Sequence, residues 1–151
     1  MSPDIAFRHL DTPAELSTAF TLMRVLRPHL ADADAFVAQL ERQRGEAYRL
    51  LAAFDGERLL GLAGYRHQTN LLYGRFVYVD DLVVDPERQG HRVGARLLDA
   101  VRGIARDSGC ARLVLDTGLH MALAQRFYFR NGLLARGLHF VEPLNLAGEA
   151  A

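Results

Sequence analysis

The sequence predicts an α+β fold: a mixed, mostly antiparallel central sheet flanked by helices, in the order β-α-α-β-β-β-α-β-α-β. Three observations predict it. Apolar residues recur at helical spacing in several capped segments. Three apolar or alternating runs follow one another between Tyr48 and Val84, separated by polar breaks. A glycine-containing turn after Val84 then leads into an amphipathic stretch, which makes a βαβ unit of the second half.

Ile5 to Leu10 is expected as a first strand. Thr12, Pro13 and Glu15 then combine an N-cap, a proline in the first helical turn and a capping-box glutamate. Leu16, Phe20 and Met23 continue on one helical face until Pro28. Asp32 caps a second helix with Phe36 and Leu40 at helical spacing, and Gly45 stops it. Tyr48 to Phe54, Leu59 to Tyr65 and Phe76 to Val84 form an antiparallel meander, broken at Asp55-Gly56 and over His67 to Asn70. After Asp85-Pro86, Leu97, Val101 and Ile104 mark a helix, and Arg112 to Asp116 a strand. Leu123 and Phe127 mark a last helix ending at Asn131-Gly132, and Leu133 to Leu144 can supply one or two closing strands.

The 151 residues, half of them hydrophobic, suit one domain over residues 1–146 with a short tail over 147–151. Eighteen basic residues balance eighteen acidic ones, which disfavours nucleic acid as a partner and leaves any charge preference local. Cys110 is the only cysteine, so neither an intrachain disulfide nor a cysteine-rich zinc site is expected. The N-terminus lacks a signal-peptide pattern, and no apolar stretch approaches the ~20 residues that span a bilayer. A soluble cytoplasmic protein without membrane attachment is expected.

The stretch Val79 to Leu98 carries the chemistry. A buried strand ends at Val84, and the turn Gln89-Gly90-His91-Arg92-Val93-Gly94-Ala95 opens a helix whose first N–H groups are free to meet an anion. Glycines alone would also serve a tight turn or close packing of helix on sheet. Neither a P-loop ending nor a G-x-G-x-x-G spacing is present. Asp80 and Asp81 interrupt the apolar strand, and period-two alternation sends them to opposite faces. The six histidines show no metal-ligand spacing, so no metal is expected, and Cys110 reads as a structural thiol.

On these residues the chain resembles the GNAT superfamily of acetyltransferases. Gln89 to Ala95 is similar to its Gln/Arg-x-x-Gly-x-Gly/Ala acetyl-CoA motif, with Arg92 where the middle glycine is usual and Gly90 as the substitute source of flexibility. Ala124 to Leu133 is similar to its Ala-x-x-Phe/Leu-Tyr-x-x-x-Gly-Phe signature, and Met121 stands where an asparagine is frequent. The resemblance implies a GNAT fold and acetyl-CoA as cosubstrate. Gln89, Gly90, His91, Arg92, Val93, Gly94 and Ala95 would face its phosphates, and backbone groups of Leu82, Val83 and Val84 its thioester and pantetheine arm.

The same resemblance makes Tyr128 the acid that protonates the departing thiolate; without the motif it would read as a core aromatic. It makes Asp80 the base candidate and Asp81 the second acid, which attracts a cationic amine; for each, capping a loop or pairing with an arginine stays an equal alternative. The implied activity is direct acetyl transfer to an amine, with a small molecule favoured over a protein as acceptor and a homodimer expected around Leu138 to Val141. The rival reading is a catalytically idle acyl-CoA-binding or regulatory module.

Overall fold

The computed structural model describes residues 4–145, which form two compact units, one ending at Leu115 and one starting at Asp116. The first unit holds β1 (Ile5–His9), α1 (Pro13–Ser17), α2 (Phe20–Leu26), α3 (Ala33–Arg44), β2 (Tyr48–Asp55), β3 (Arg58–Asn70) and β4 (Gly74–Val84). A 3-10 turn (Pro86–His91), α4 (Val93–Asp107) and β5 (Arg112–Leu115) complete it. The second unit holds α5 (Ala122–Arg130).

Capping chemistry sets the helix starts. Thr12 Oγ1 accepts from the Glu15 N–H at 3.1 Å, and the Glu15 carboxylate accepts from the Thr12 N–H at 3.3 Å. Asp32 caps α3 by accepting from the Ala35 N–H at 2.8 Å. The single helix expected over Leu16 to Met23 is divided into α1 and α2. The Thr18 hydroxyl donates to the Glu15 carbonyl at 2.6 Å, and the Thr18 and Ala19 N–H groups bond three residues back, which tightens the turn and interrupts the α-helical ladder.

The five strands lie in sequence order, β1 to β4 antiparallel and β5 parallel to β4. The parallel step needs a crossover, and α4 supplies it. Each face of the sheet buries its own apolar cluster. Leu51, Ala53, Tyr65, Val77 and Val79 pack with Val93, Leu97 and Val101 of α4. Tyr48, Leu50, Ala52, Leu62 and Val83 pack with Leu16, Met23, Phe36 and Leu40 from α1, α2 and α3. Helix α4 comes close to the sheet at Gly61, where a Cβ would lie 2.7 Å from Leu97 Cδ1.

In the second unit α5 ends as its sequence predicts. Gly132 takes φ +88°, its N–H donates to the Phe129 carbonyl, and the Leu133 N–H donates to the Tyr128 carbonyl. The closing strands expected from Leu133 to Leu144 are not formed: residues 133–145 enter no strand. Without a ladder partner, apolar side chains do not by themselves hold backbone extended. The tail over 147–151 lies outside the described residues.

Candidate active site

The two acids of β4 sit on a β-bulge. The register pairs Gly64 with Asp81 but Tyr65 with Val79, so Asp80 is an extra residue without a partner on β3. The insertion resets the alternation. Asp81 shares its side of the strand with Val83, Asp80 shares its side with Tyr78, and both sides are the face covered by α1, α2 and α3. The expectation of opposite faces is therefore wrong, because period-two counting holds only while the ladder is regular.

On that face each acid meets an arginine. Arg66 donates from Nε and Nη2 to the two carboxylate oxygens of Asp80, both at 2.8 Å, and its guanidinium lies over the Tyr78 ring. Arg27 Nε donates to Asp81 Oδ1 at 3.0 Å, and its Nη2 donates to the Asp80 backbone carbonyl at 2.9 Å. Tyr48 donates its hydroxyl to Asp81 Oδ2 at 2.8 Å. Burial raises the Asp80 carboxyl from its ordinary value while the Arg66 hydrogen bonds pull it down and the neighbouring Asp81 charge pushes it up. Burial, then the Asp81 charge, lifts the Tyr48 hydroxyl well above the ordinary range, so it stays a proton donor.

This arrangement depends on Gly64. A Cβ there would lie 1.8 Å from the Tyr48 hydroxyl oxygen, so only glycine leaves room for the phenol beside β3. Sequence reading misses Tyr48, Gly64, Arg66 and Arg27 as members of this cluster. The available signal was Gly64 itself, a glycine inside an apolar strand run, which marks a bulge or a close approach.

Beyond the bulge β4 loses a neighbour. The β4–β5 ladder runs from Phe76↔Arg112 to Val79↔Leu115 and stops, so along Asp80 to Val84 the described residues put no strand on that flank. Leu82 and Val84 pack against the α4 cluster and Val83 belongs to the opposite one, which fixes the strand by its side chains. The 3-10 turn follows, started by Asp85, whose Oδ1 accepts from the Glu87 N–H at 3.0 Å, and braced by Arg58 on Asp85 and Glu87.

Arg92 then adopts φ +57°, ψ +26° and starts α4, with no side-chain cap. Flexibility at Gly90 does not replace the missing glycine: Gly90 lies in open space with an ordinary φ, and the left-handed conformation falls on Arg92 itself. The Arg96 N–H bonds the Arg92 carbonyl at 3.0 Å, which leaves the N–H groups of Val93, Gly94 and Ala95 at the helix mouth without intrahelical acceptors. Buried Val93 and Ala95 side chains anchor that mouth, while Gly90 and Arg92 are exposed and His91 is half-buried. The Gln89 side chain lies outside the described part of the turn.

In the second unit Tyr128 is half-buried on α5, its ring edge-on to Phe127 with centroids 5.4 Å apart. Met121 occupies the N-cap without a side-chain hydrogen bond. Gln125 works there instead, its amide donating to the Gly118 and Leu119 carbonyls at 3.1 and 3.0 Å. Among the described residues no cluster of His, Cys, Asp and Glu is placed to hold a metal, and no helix is long and apolar enough to cross a membrane.

With this geometry in place, the sequence pattern of the Acetyltransferase (GNAT) family matches residues 14–133. The chain belongs to this family. An aminoalkylphosphonate N-acetyltransferase of Salmonella typhimurium is 29% identical over 146 residues, which are 94% of this chain and 93% of the relative. An IAA acetyltransferase of Azospirillum brasilense is 30% identical over 89 residues, 59% of this chain and 56% of the relative. An aminoglycoside N-acetyltransferase solved with CoA shares the fold at a TM-score of 0.83 and 16% identity, over 97% of this chain and 98% of that one. The GNAT family and its named N-acetyltransferases make this chain an acetyl-CoA-dependent N-acetyltransferase rather than an idle module.

Proposed function

We propose that the protein transfers the acetyl group of acetyl-CoA directly to the amine of a small-molecule acceptor. The observation that carries this reading is the open flank of β4, which begins at the bulge bearing Asp80 and Asp81 and leads to the uncapped mouth of α4. Backbone groups of Leu82, Val83 and Val84 would hold the thioester carbonyl and the pantetheine amides. The turn from Gln89 through Gly90, His91, Arg92, Val93 and Gly94 to Ala95 would receive the pyrophosphate. The donor set fits this anion, because three N–H groups lack intrahelical acceptors and Arg92 adds a positive charge. Fixed donors at the carbonyl oxygen stabilise the charge that develops there, a contribution often worth about 3 kcal/mol.

Acetyl-CoA supplies an activated acyl group. As the amine nitrogen bonds to the acyl carbon and the carbon–sulfur bond breaks, Asp80 takes the ammonium proton directly or through water. Tyr128 returns a proton to the thiolate, and Asp81 is the second charge near the amine. Burial that raises Asp80 moves it toward a useful base. Named relatives that acetylate an aminoalkylphosphonate and a thialysine support a small-molecule acceptor. The reading treats residues 1–146 as one functional domain, working in the cytoplasm as a homodimer and without metal, membrane or nucleic acid.

Two measurements test it. CoA at millimolar concentration should raise the melting temperature by mass action, and no shift would remove the assignment of the turn. Tyr128→Phe should lower turnover in a thiol-release assay by about 10- to 100-fold while CoA affinity holds, since general acid catalysis contributes on that order. A loss of CoA affinity instead would make Tyr128 structural. Light scattering that returned a monomer mass would remove the homodimer.

A further inference from the structure

We infer that the acceptor is zwitterionic: an amine whose body also carries an anionic group, such as a carboxylate or phosphonate, held by Arg66 and Arg27 while its nitrogen faces the acids of the bulge. The inference rests on the proposed acetyl transfer and narrows its substrate class. Two acids on a strand beside an amine site would ordinarily suggest a polycation. Here the charges are already balanced. Asp80 is clamped by two guanidinium hydrogen bonds, and Asp81 is held by Arg27 and Tyr48.

A purely cationic acceptor entering this face meets two guanidinium groups as close as it meets the carboxylates. Its attraction to the acids is spent, and an exchange that freed a guanidinium would leave a partly buried cation unpaired. A zwitterion avoids that loss. Its ammonium joins a carboxylate, its anion joins a guanidinium, and every charge keeps a partner. A guanidinium has five N–H donors in a planar fork matched to carboxylate and phosphonate oxygens, more than one aspartate accepts.

Both pairs remain reachable by a ligand. The side chains are 15% exposed at Asp81, 22% at Asp80, 30% at Arg66 and 43% at Arg27. The two arginines come from separate elements, Arg66 from β3 and Arg27 from the C-cap of α2, and converge on consecutive residues of one bulge.

The experiment compares acceptors matched in length: an ω-amino carboxylate, an aminoalkylphosphonate, the corresponding alkyl monoamine and a linear polyamine, each assayed for thiol release and for its melting shift with CoA bound. The zwitterions are expected to exceed the monoamine and the polyamine in kcat/KM by about tenfold or more, the scale of one charge-assisted hydrogen bond. Arg66→Gln frees Asp80 for every amine, so the readout is the difference: kcat/KM should fall about tenfold further for the zwitterions than for the monoamine, and Arg66→Lys, which keeps the charge and loses the fork, should recover part of that difference. A polyamine used as well as the zwitterions, or an Arg66→Gln loss equal for all four amines, overturns the inference while the CoA shift keeps the acetyltransferase reading. Absence of any CoA shift overturns both.

Discussion

The bulge of β4 and the mouth of α4 flank the same strip of strand but are built on opposite principles. At the bulge the charged side chains are each satisfied by a named partner and lie on the helix-covered face. At the mouth of α4 the side chains point into the core or into solvent, and what faces outward is backbone. The first region is a positional device that tolerates little change in volume. The second is a conformational one, set by φ and ψ, and tolerates change in side chain so long as the backbone keeps its course.

The largest effect should come from breaking the volume constraint. Gly64→Ala places a methyl group 1.8 Å from the Tyr48 hydroxyl and 2.5 Å from its Cζ, both buried, so the phenol must leave its place under the bulge. Overpacking of this kind costs about 1–3 kcal/mol, and releasing Tyr48 also strips Asp81 of a donor, which brings the expectation to the top of that range. Urea denaturation should show the loss, together with reduced turnover. Gly90→Ala is the matched control, since a Cβ there meets open space, and it should change stability by less than about 0.5 kcal/mol. Equal costs at the two glycines would refute the contrast between the regions.

The same contrast explains what the sequence made legible. The capping box at Thr12, the α4 stripe of Leu97 and Val101 and the Gly132 helix end are local patterns, and each appears where its residues predict, whereas the break expected over His67 to Asn70 does not: β3 runs on to Asn70, and those polar residues pair with Gly74 to Val77 of β4. The left-handed residue at position 92 is a correction, since the sequence reading gives the turn's flexibility to Gly90 and the structure puts the positive φ on Arg92 itself. The bulge was not legible. It is a mismatch between two strands, hinted at in one of them only by Gly64, and it reverses the faces of every residue beyond it. Arg66, Asp80 and Tyr48 are distant in sequence, and their union depends on that register. The Leu133 to Leu144 run failed for the same reason: apolar character is local, but a strand exists only with its partner.

A substitution of intermediate effect sharpens the conformational side. Arg92 holds a left-handed backbone that costs a residue with a Cβ about 1–2 kcal/mol, and glycine gives back part of that gain through its freer unfolded chain. Arg92→Gly should therefore hold stability or raise it by at most about 1 kcal/mol. If backbone N–H groups carry the pyrophosphate, CoA affinity should fall by less than about tenfold, the worth of a single charge contact. A much steeper fall, read by calorimetry, would move the weight of the site from the backbone to the guanidinium and bring the two regions under one principle.

The smallest effect concerns the sign of the Asp80 charge. Burial holds its carboxyl above the ordinary value of 3.8, so the folded protein keeps this proton more tightly than the unfolded chain does. Below the ordinary value both states are protonated and the group makes no difference to the slope. As pH rises through the window just above it, the unfolded chain ionises first, and stability contributed by the protonated acid is lost. Asp80→Asn has no such dependence while keeping one acceptor for Arg66. The difference in unfolding free energy, variant minus parent, should thus climb modestly in urea titrations as pH rises above the ordinary value of 3.8. A difference that falls over this range would mean that the two 2.8 Å bonds from Arg66 outweigh burial. Asp80 would then be held as a firm carboxylate, a poorer base, and the amine proton would have to leave through water.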